Sequence, residues 1–313
     1  MKRASGERGV ALLLVLWLMI VLGAVAAVVV GSTRGESRLL LNARTRTVAR
    51  YGAESGIVAG LAVLQRRLST AYGPAQQLLA LNGIDRDFSE LHDVALGTAR
   101  FTVALTNLSG RLDLNQAQPE ALVSLLSQFT SPDHAGRIVD ALLDWKDADD
   151  LVRAQGAEKE EYLRAGSAYV PRNAPLNLME EFRRIRGVTD SLARAVDLFV
   201  TVNGDMQIDV NAAPEPVLAA IPGIGPAGAR AIISRLRGSG PFSSVAEVQS
   251  LLGRHFGGPS AALPIPRLAV SPSRLLLISR SWIPGHPLTH EIQAAYAVVG
   301  QQLRLQSWRE RDL

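Results

Sequence analysis

The chain has 313 residues, a formal net charge of +4 and no cysteine. The lack of thiols excludes a disulfide framework and a thiolate metal site. The small excess of basic residues, at a sequence pI near 9.7, is what an ordinary solvated surface carries, so charge alone does not point to nucleic acid. His92, His134, His255, His286 and His290 show no H-E-x-x-H spacing. Neither a G-x-S-x-G elbow nor a phosphate-binding G-x-x-x-x-G-K-[ST] loop occurs, so the motifs argue against an enzyme.

The first element is an apolar run of 21 residues, Val10 to Val30, behind a short leader with Lys2, Arg3 and Arg8. As a helix it is about 30 Å long, enough to cross a bilayer core, and predicts a single transmembrane anchor. Gly9 stands between the last leader arginine and Val10. This junction resembles the prepilin-peptidase site of type IV pilins and pseudopilins, where cleavage after the glycine leaves the apolar helix on the mature protein. Small residues at Gly23, Ala24, Ala26 and Ala27 leave a removable secretory signal as the alternative. Arg34, Arg38, Arg44, Arg46 and Arg50 follow the run, so the charge balance across it conflicts with export of the body.

Beyond Gly31, Ile57, Leu61, Leu64 and Leu68 fall on one helical face opposite Arg50, Gln65, Arg66 and Arg67. A long helix is expected to stop near Gly73-Pro74. Residues 97–115 alternate as a strand does, with Phe101, Val103 and Leu105 on one face, and Asn107 to Gly110 read as a turn. The stretches Arg274–Ile283, His290–Val299 and Gln302–Arg309 behave likewise. Strands early and late bracket a middle that shows none. The economical fold is α+β: one antiparallel sheet interrupted by a large all-α insertion.

The insertion contains a repeat. Leu112-Asp113-Leu114-Asn115 recurs as Ile208-Asp209-Val210-Asn211, and Ala117 and Leu122 recur as Ala213 and Leu218, all 96 residues apart. The asparagines are expected to cap the backbone of the helices that follow. The second unit carries Ile221-Pro222-Gly223-Ile224-Gly225-Pro226-Ala227-Gly228. Its glycines follow a helix rather than a strand, so the dinucleotide reading of G-x-G-x-x-G fails on context. The stretch reads instead as a helix-hairpin-helix turn, in which Gly223, Gly225, Arg230 and Arg235 can meet a nucleic-acid backbone or simply pack two helices.

An acidic run, Asp144-Trp145-Lys146-Asp147-Ala148-Asp149-Asp150, closes the first unit. It is not an EF-hand, because Leu151 and Val152 occupy positions that need an oxygen ligand and a glycine. Asp147, Asp149, Asp150, Glu158 and Glu161 either gather round Ca²⁺ in an irregular loop or form a solvated charge run.

Taken in order, several motifs resemble the GspK family of type II secretion minor pseudopilins. They are Gly9-Val10 with its apolar helix, Leu112-Asp113-Leu114-Asn115, Asp144-Trp145-Lys146-Asp147-Ala148-Asp149, Gly156-Ala157-Glu158 with Tyr162, Arg172-Asn173-Ala174-Pro175-Leu176, Asp209-Val210-Asn211-Ala212-Ala213, and Pro241-Phe242. The resemblance implies a leader at 1–9, a transmembrane and amphipathic helix at 10–72, and the first part of a pilin-like sheet at 73–115. It further implies a SAM-like or helix-hairpin-helix-like insertion of two related units at 116–262 and closing strands at 263–313. It also implies cleavage after Gly9 by prepilin peptidase, N-methylation of Val10, and calcium in the insertion. The body would lie in the periplasm of a Gram-negative cell on a single inner-membrane pass. The implied partners are GspI-like and GspJ-like minor pseudopilins, the major pseudopilin and the inner-membrane secretion platform.

Position five of the mature chain would be Leu14, where most pilin-like chains carry the glutamate thought to pair with a neighbour's terminal amine. A subunit placed first in the filament has no such neighbour, so the departure implies a tip subunit that starts and caps the pseudopilus. The rival expectation is a membrane-tethered DNA receptor of an uptake system built on the hairpin.

Overall fold

The computed structural model describes residues 6–81, 84–256 and 268–313. A single helix, α1 (Gly6–Leu68), runs into a layer formed by two short helices, α2 (Pro74–Leu81) and α3 (Ile84–Ser89), and the first strands, β1 (Val94–Leu96) and β2 (Ala99–Asn107). Glycine at φ +81° in Gly73 turns the chain between α1 and α2. A second body then intervenes. Its first half holds β3 (Leu112–Asp113), α4 (Pro119–Leu126), α5 (Pro132–Lys146), α6 (Lys159–Arg164), α7 (Met179–Phe182), α8 (Asp190–Val196) and β4 (Val200–Thr201). Its second half holds β5 (Ile208–Asp209), α9 (Glu215–Ala220), α10 (Gly225–Ser239), α11 (Val245–Phe256) and β6 (Leu268–Ala269). The chain returns to the sheet with β7 (Arg274–Trp282), β8 (Thr289–Val299) and β9 (Gln302–Asp312).

The five-stranded sheet has the order β1-β2-β7-β8-β9, antiparallel throughout, so β2 lies directly against β7 although the insertion separates them in sequence. This is the pilin-like α+β fold with a large helical insertion. Phe101 and Val103 of β2, Leu275 and Leu277 of β7, and Ile292, Ala294 and Tyr296 of β8 share the face turned to α1. Alternation along each strand puts them there.

Helix α1 meets that face closely because of its glycines. Gly52, Gly56 and Gly60 recur every four residues, and a Cβ at Gly52 or Gly56 would run into the hydroxyl of Ser281 or Ser279. Both serine hydroxyls are buried with no hydrogen-bond partner. Ala53, Ile57 and Leu64 fill the contact, while Leu61 is only half-buried. Of the arginines beyond the apolar run, Arg46 pairs with Asp312 at 2.8 Å and Arg50 with Glu310 at 3.0 Å, so they tie α1 to the edge strand β9.

The expected transmembrane helix, and with it the single-pass inner-membrane topology, is overturned. Among the described residues no helix is long and apolar enough to cross a membrane. The apolar side chains that the structure describes in this run are those of Leu12 to Ala27. They face outward, Leu12 being 75% and Trp17 62% exposed. Residues 1–5 of the expected leader lie outside the described residues, as do the side chains of Gly9 and Val10; the backbone of those two belongs to α1.

The insertion has its own core, with Trp145, Tyr162, Phe182 and Phe242 among its larger members. Its middle is not free of strands, because β3–β4 and β5–β6 form two-residue parallel pairs. These pairs mark the starts of the two repeats. Asp113 accepts the amides of Asn115 at 2.7 Å and Gln116 at 3.1 Å, and Asp209 accepts that of Asn211 at 3.0 Å. The asparagines, expected to cap the following helices, instead clamp distant backbone. Asn115 bonds both the amide and the carbonyl of Leu176, and Asn211 does the same to Phe242 while also reaching the carbonyl of Val270. Each clamp replaces a missing strand neighbour for buried peptide groups.

A cleft of about 820 Å³ separates the outer face of the sheet from the insertion, lined by Leu276, Ile278, Gln293 and Trp308 on one side and Arg111 and Asn177 on the other. It is bridged by Arg309, which donates two 2.9 Å bonds to Glu180.

Candidate functional site

The carboxylates gather where α5 ends. Ser131 caps the helix by accepting the amide of His134 at 3.3 Å, and Pro132 fits its first turn. Ile138, Leu142 and Trp145 then face the core. Asp144 lies on this same inward side, fully buried, and Asp147 terminates the helix in extended backbone. The loop after it folds back over Asp144, whose Oδ2 accepts the amide of Arg153 at 3.2 Å. Gly156 is required at the closest approach, since a Cβ there would overlap the Asp144 carboxylate.

The loop delivers Glu158 to the same place at the start of α6. Both oxygens of Glu158, with Asp144 Oδ1 and Asp147 Oδ1, are buried and have no hydrogen-bond partner. Such orphaned acceptors are costly. The cation at hand is Arg153, with Nη2 3.0 Å from Asp147 Oδ2 and Nε 3.2 Å from Asp144 Oδ1. Burial, then repulsion from Asp144, Asp147, Asp150 and Asp149, pushes Glu158 up to about 7. Burial also raises Asp144, against the hydrogen bonds from the Arg153 and Ala157 backbone. Tyr162 stands behind the cluster, its ring edge-on to Trp145 at 5.6 Å and its hydroxyl accepting the Arg186 amide at 2.8 Å. Burial holds its phenol up at about 12.

Of the five expected metal ligands, Asp147 and Glu158 join this cluster. Asp149 accepts the amide of Leu151 at 2.9 Å, Asp150 accepts from Asn173 Nδ2 at 2.9 Å, and Glu161 accepts the Glu158 amide at 3.1 Å and a guanidinium bond from Arg164. Among the described residues no three His, Asp or Glu side chains converge as a ready metal-binding group. Asp144 was missing from the sequence-based set. The available signal was a charged residue at an inward position of an amphipathic helix, three before Asp147.

The residues expected of a nucleic-acid hairpin are spread along the turn and the helix after it. Gly223 at φ +86° and Gly225 at φ +61° make the turn into α10. Arg235 lies ten residues further along that helix, about 15 Å away, and donates to the Gly240 carbonyl at 2.7 Å while stacking over Phe242. It fastens the α10–α11 junction. Arg230 is exposed on the intervening turn.

A glycine-faced helix on an antiparallel sheet, carrying a two-repeat helical insertion whose polar residues mostly serve packing, defines a pilin-class assembly protein rather than a catalyst. Residues 100–205 and 208–260 match two family models, both described as type II secretion system (T2SS), protein K. Together they span about half of the chain, and the chain belongs to that family. Its members are structural, non-catalytic minor pseudopilins of the secretion system. A similar solved structure is described as the GspK-GspI-GspJ complex from the enterotoxigenic Escherichia coli type 2 secretion system. The matched chain has 17% identity and a TM-score of 0.62, with 86% of this chain and 98% of that chain covered. No curated protein matches the chain.

Proposed function

We propose that this chain starts and caps the tip of the pseudopilus, in a complex with GspI-like and GspJ-like minor pseudopilins above the major pseudopilin. The observation that carries this reading is the placement of the insertion. It lies across a cleft from the sheet face opposite α1, joined to that face by Arg309 and Glu180, and adds bulk that a shaft subunit packed on all sides would have to accommodate. The likeness to a chain solved with two further pseudopilins supports the partners. Leu14, exposed on α1, offers no carboxylate to a preceding subunit. Processing after Gly9 with methylation of Val10 belongs to the same reading. Co-expression with the two partners tests it: a stable ternary complex is expected. An isolated chain beside a GspI-like and GspJ-like pair would refute it.

We also propose that Asp144, Asp147 and Glu158 hold calcium. Both oxygens of Glu158 and Asp147 Oδ1, buried without hydrogen bonds, and Asp144 Oδ1 beside Arg153 are the hard donors that Ca²⁺ favours, and the bound ion would draw them together, neutralise their mutual repulsion and fasten residues 147–158. Calorimetry with Ca²⁺ on the native chain and on Glu158→Gln tests this. Binding is expected to be lost in the variant, and unchanged binding would contradict the assignment.

A further inference from the structure

The opposite end of α5 carries Asp133, His134 and Arg137. His134 and Arg137 stand one turn apart near the start of the helix. The loop between α7 and α8 lays Arg186 and Gly187 against them, and residues 154–156 close the remaining side of a cavity of about 480 Å³. Gly187, at φ +89°, sets this wall: a Cβ there would press on Ile138 and the His134 ring.

The hydrogen bonds orient one guanidinium. His134 Nε2 lies 2.9 Å from the Gly187 carbonyl, and its Nδ1 lies 3.3 Å from Arg137 Nη2. A guanidinium only donates, so Nδ1 accepts and Nε2 carries the proton that reaches the carbonyl. Arg137 is thereby held with most of its N–H groups unused. Some other arginines of the insertion meet carboxylates: Arg153 meets Asp144 and Asp147, and Arg172 meets Glu181. Among the described residues neither Arg137 nor Arg186 has a carboxylate within 4.0 Å. The nearby acid on α5, Asp140, accepts the Gln155 amide at 3.1 Å.

Two unneutralised guanidiniums lining one concavity attract an oxyanion, and their planar forks suit a phosphate or a pair of carboxylate oxygens. We propose that the cavity between the start of α5 and the Arg186-Gly187 loop is an oxyanion-binding site. Arg137 and Arg186 are its ligating residues and His134 is a positioning residue for Arg137. The volume exceeds that of a bare phosphate, so the natural ligand carries its anionic group on a larger body. This assignment is independent of the tip role.

The test is titration of inorganic phosphate, and separately of succinate and acetate, into the full-length protein freed of divalent cations, followed by calorimetry or by NMR of the His134 ring. Saturable phosphate binding in the millimolar range is expected. Arg137→Gln and Arg186→Gln should each weaken it about tenfold, as loss of a charge-assisted bond does. Tighter succinate binding would assign the ligand as a carboxylate, and tighter phosphate binding would assign it as a phosphoryl group. Acetate, with one charge, should bind weakest. Circular dichroism confirms that the variants fold. Phosphate and succinate that both fail to bind, or that bind equally well to both arginine variants, would overturn the site.

Discussion

Replacing Glu158 by glutamine isolates the energetic cost of the carboxylate cluster. Glu158 is 3% exposed, neither of its oxygens is hydrogen-bonded, and burial with four aspartates raises it from an ordinary 4.5 to about 7. Its folded-state pKa is the higher one, so its contribution is most favourable below about 4.5, where it is protonated whether folded or unfolded. As pH rises through about 7 the folded protein takes on a buried, poorly compensated charge and loses about 3 kcal/mol relative to the acid side. Glutamine keeps the shape without ionising. In metal-free solution Glu158→Gln should therefore match the parent near pH 4 and exceed it by about 3 kcal/mol near pH 8. Urea unfolding of the full-length chain, with mild detergent covering the exposed apolar face of α1, measures this as a midpoint shift at constant m value. Ca²⁺ at about 1,000 times its Kd should reverse the order, because binding adds about 4.1 kcal/mol to the parent alone. A difference that is constant across pH, or a variant less stable than the parent near pH 8 without metal, would refute the electrostatic reasoning.

Gly56→Ala should destabilise the packing of α1 on the sheet by about 2 kcal/mol despite alanine's better helix propensity, because its Cβ meets Ser279 Oγ. Ser279→Ala should recover about half of that loss in a double-mutant cycle read by chemical denaturation. Asn211→Ala leaves the Phe242 amide and carbonyl and the Val270 carbonyl without their partner, an expected cost of about 3 kcal/mol. Hydrogen exchange at Phe242 should accelerate in this variant while exchange in the β7–β8 pairing does not. Mass spectrometry of the native product should find a chain beginning at methylated Val10; a start beyond Ala24 would instead establish a removed signal.

Alternation made the sheet legible. Phe101, Val103 and Leu105 in β2 and the three closing strands show the period of two, and the long interval without it exposed the helical insertion. The strands β3 to β6 are two residues each, too short for any period to register, so parallel pairing at the repeat starts was invisible. The recurring Asp-x-Asn was visible, but its work was not. The partners of Asn115 and Asn211 lie 61 and 31 residues away, and only the fold brings them near. Asp147 and Glu158 stood out as part of an acidic run, whereas Asp144 looked like one more member of it until burial singled it out. The glycines of α1 read locally as weak helix formers, and their purpose depends on serines more than 220 positions later. The apolar N-terminal run was the plainest feature of the sequence, yet its length alone did not establish a membrane span. Several of the short motifs that carry the family likeness mark clamps or a loop closure in this architecture, at Asn115, Asn211, Gly156 and Phe242.

The most direct measurement is assembly of the purified full-length chain with GspI-like and GspJ-like subunits from the same cell, followed by size exclusion with light scattering. A tip subunit predicts one complex with a single copy of each protein, which forms without nucleic acid and resists nuclease. A chain that elutes alone at concentrations where the other two pair with each other would contradict the account.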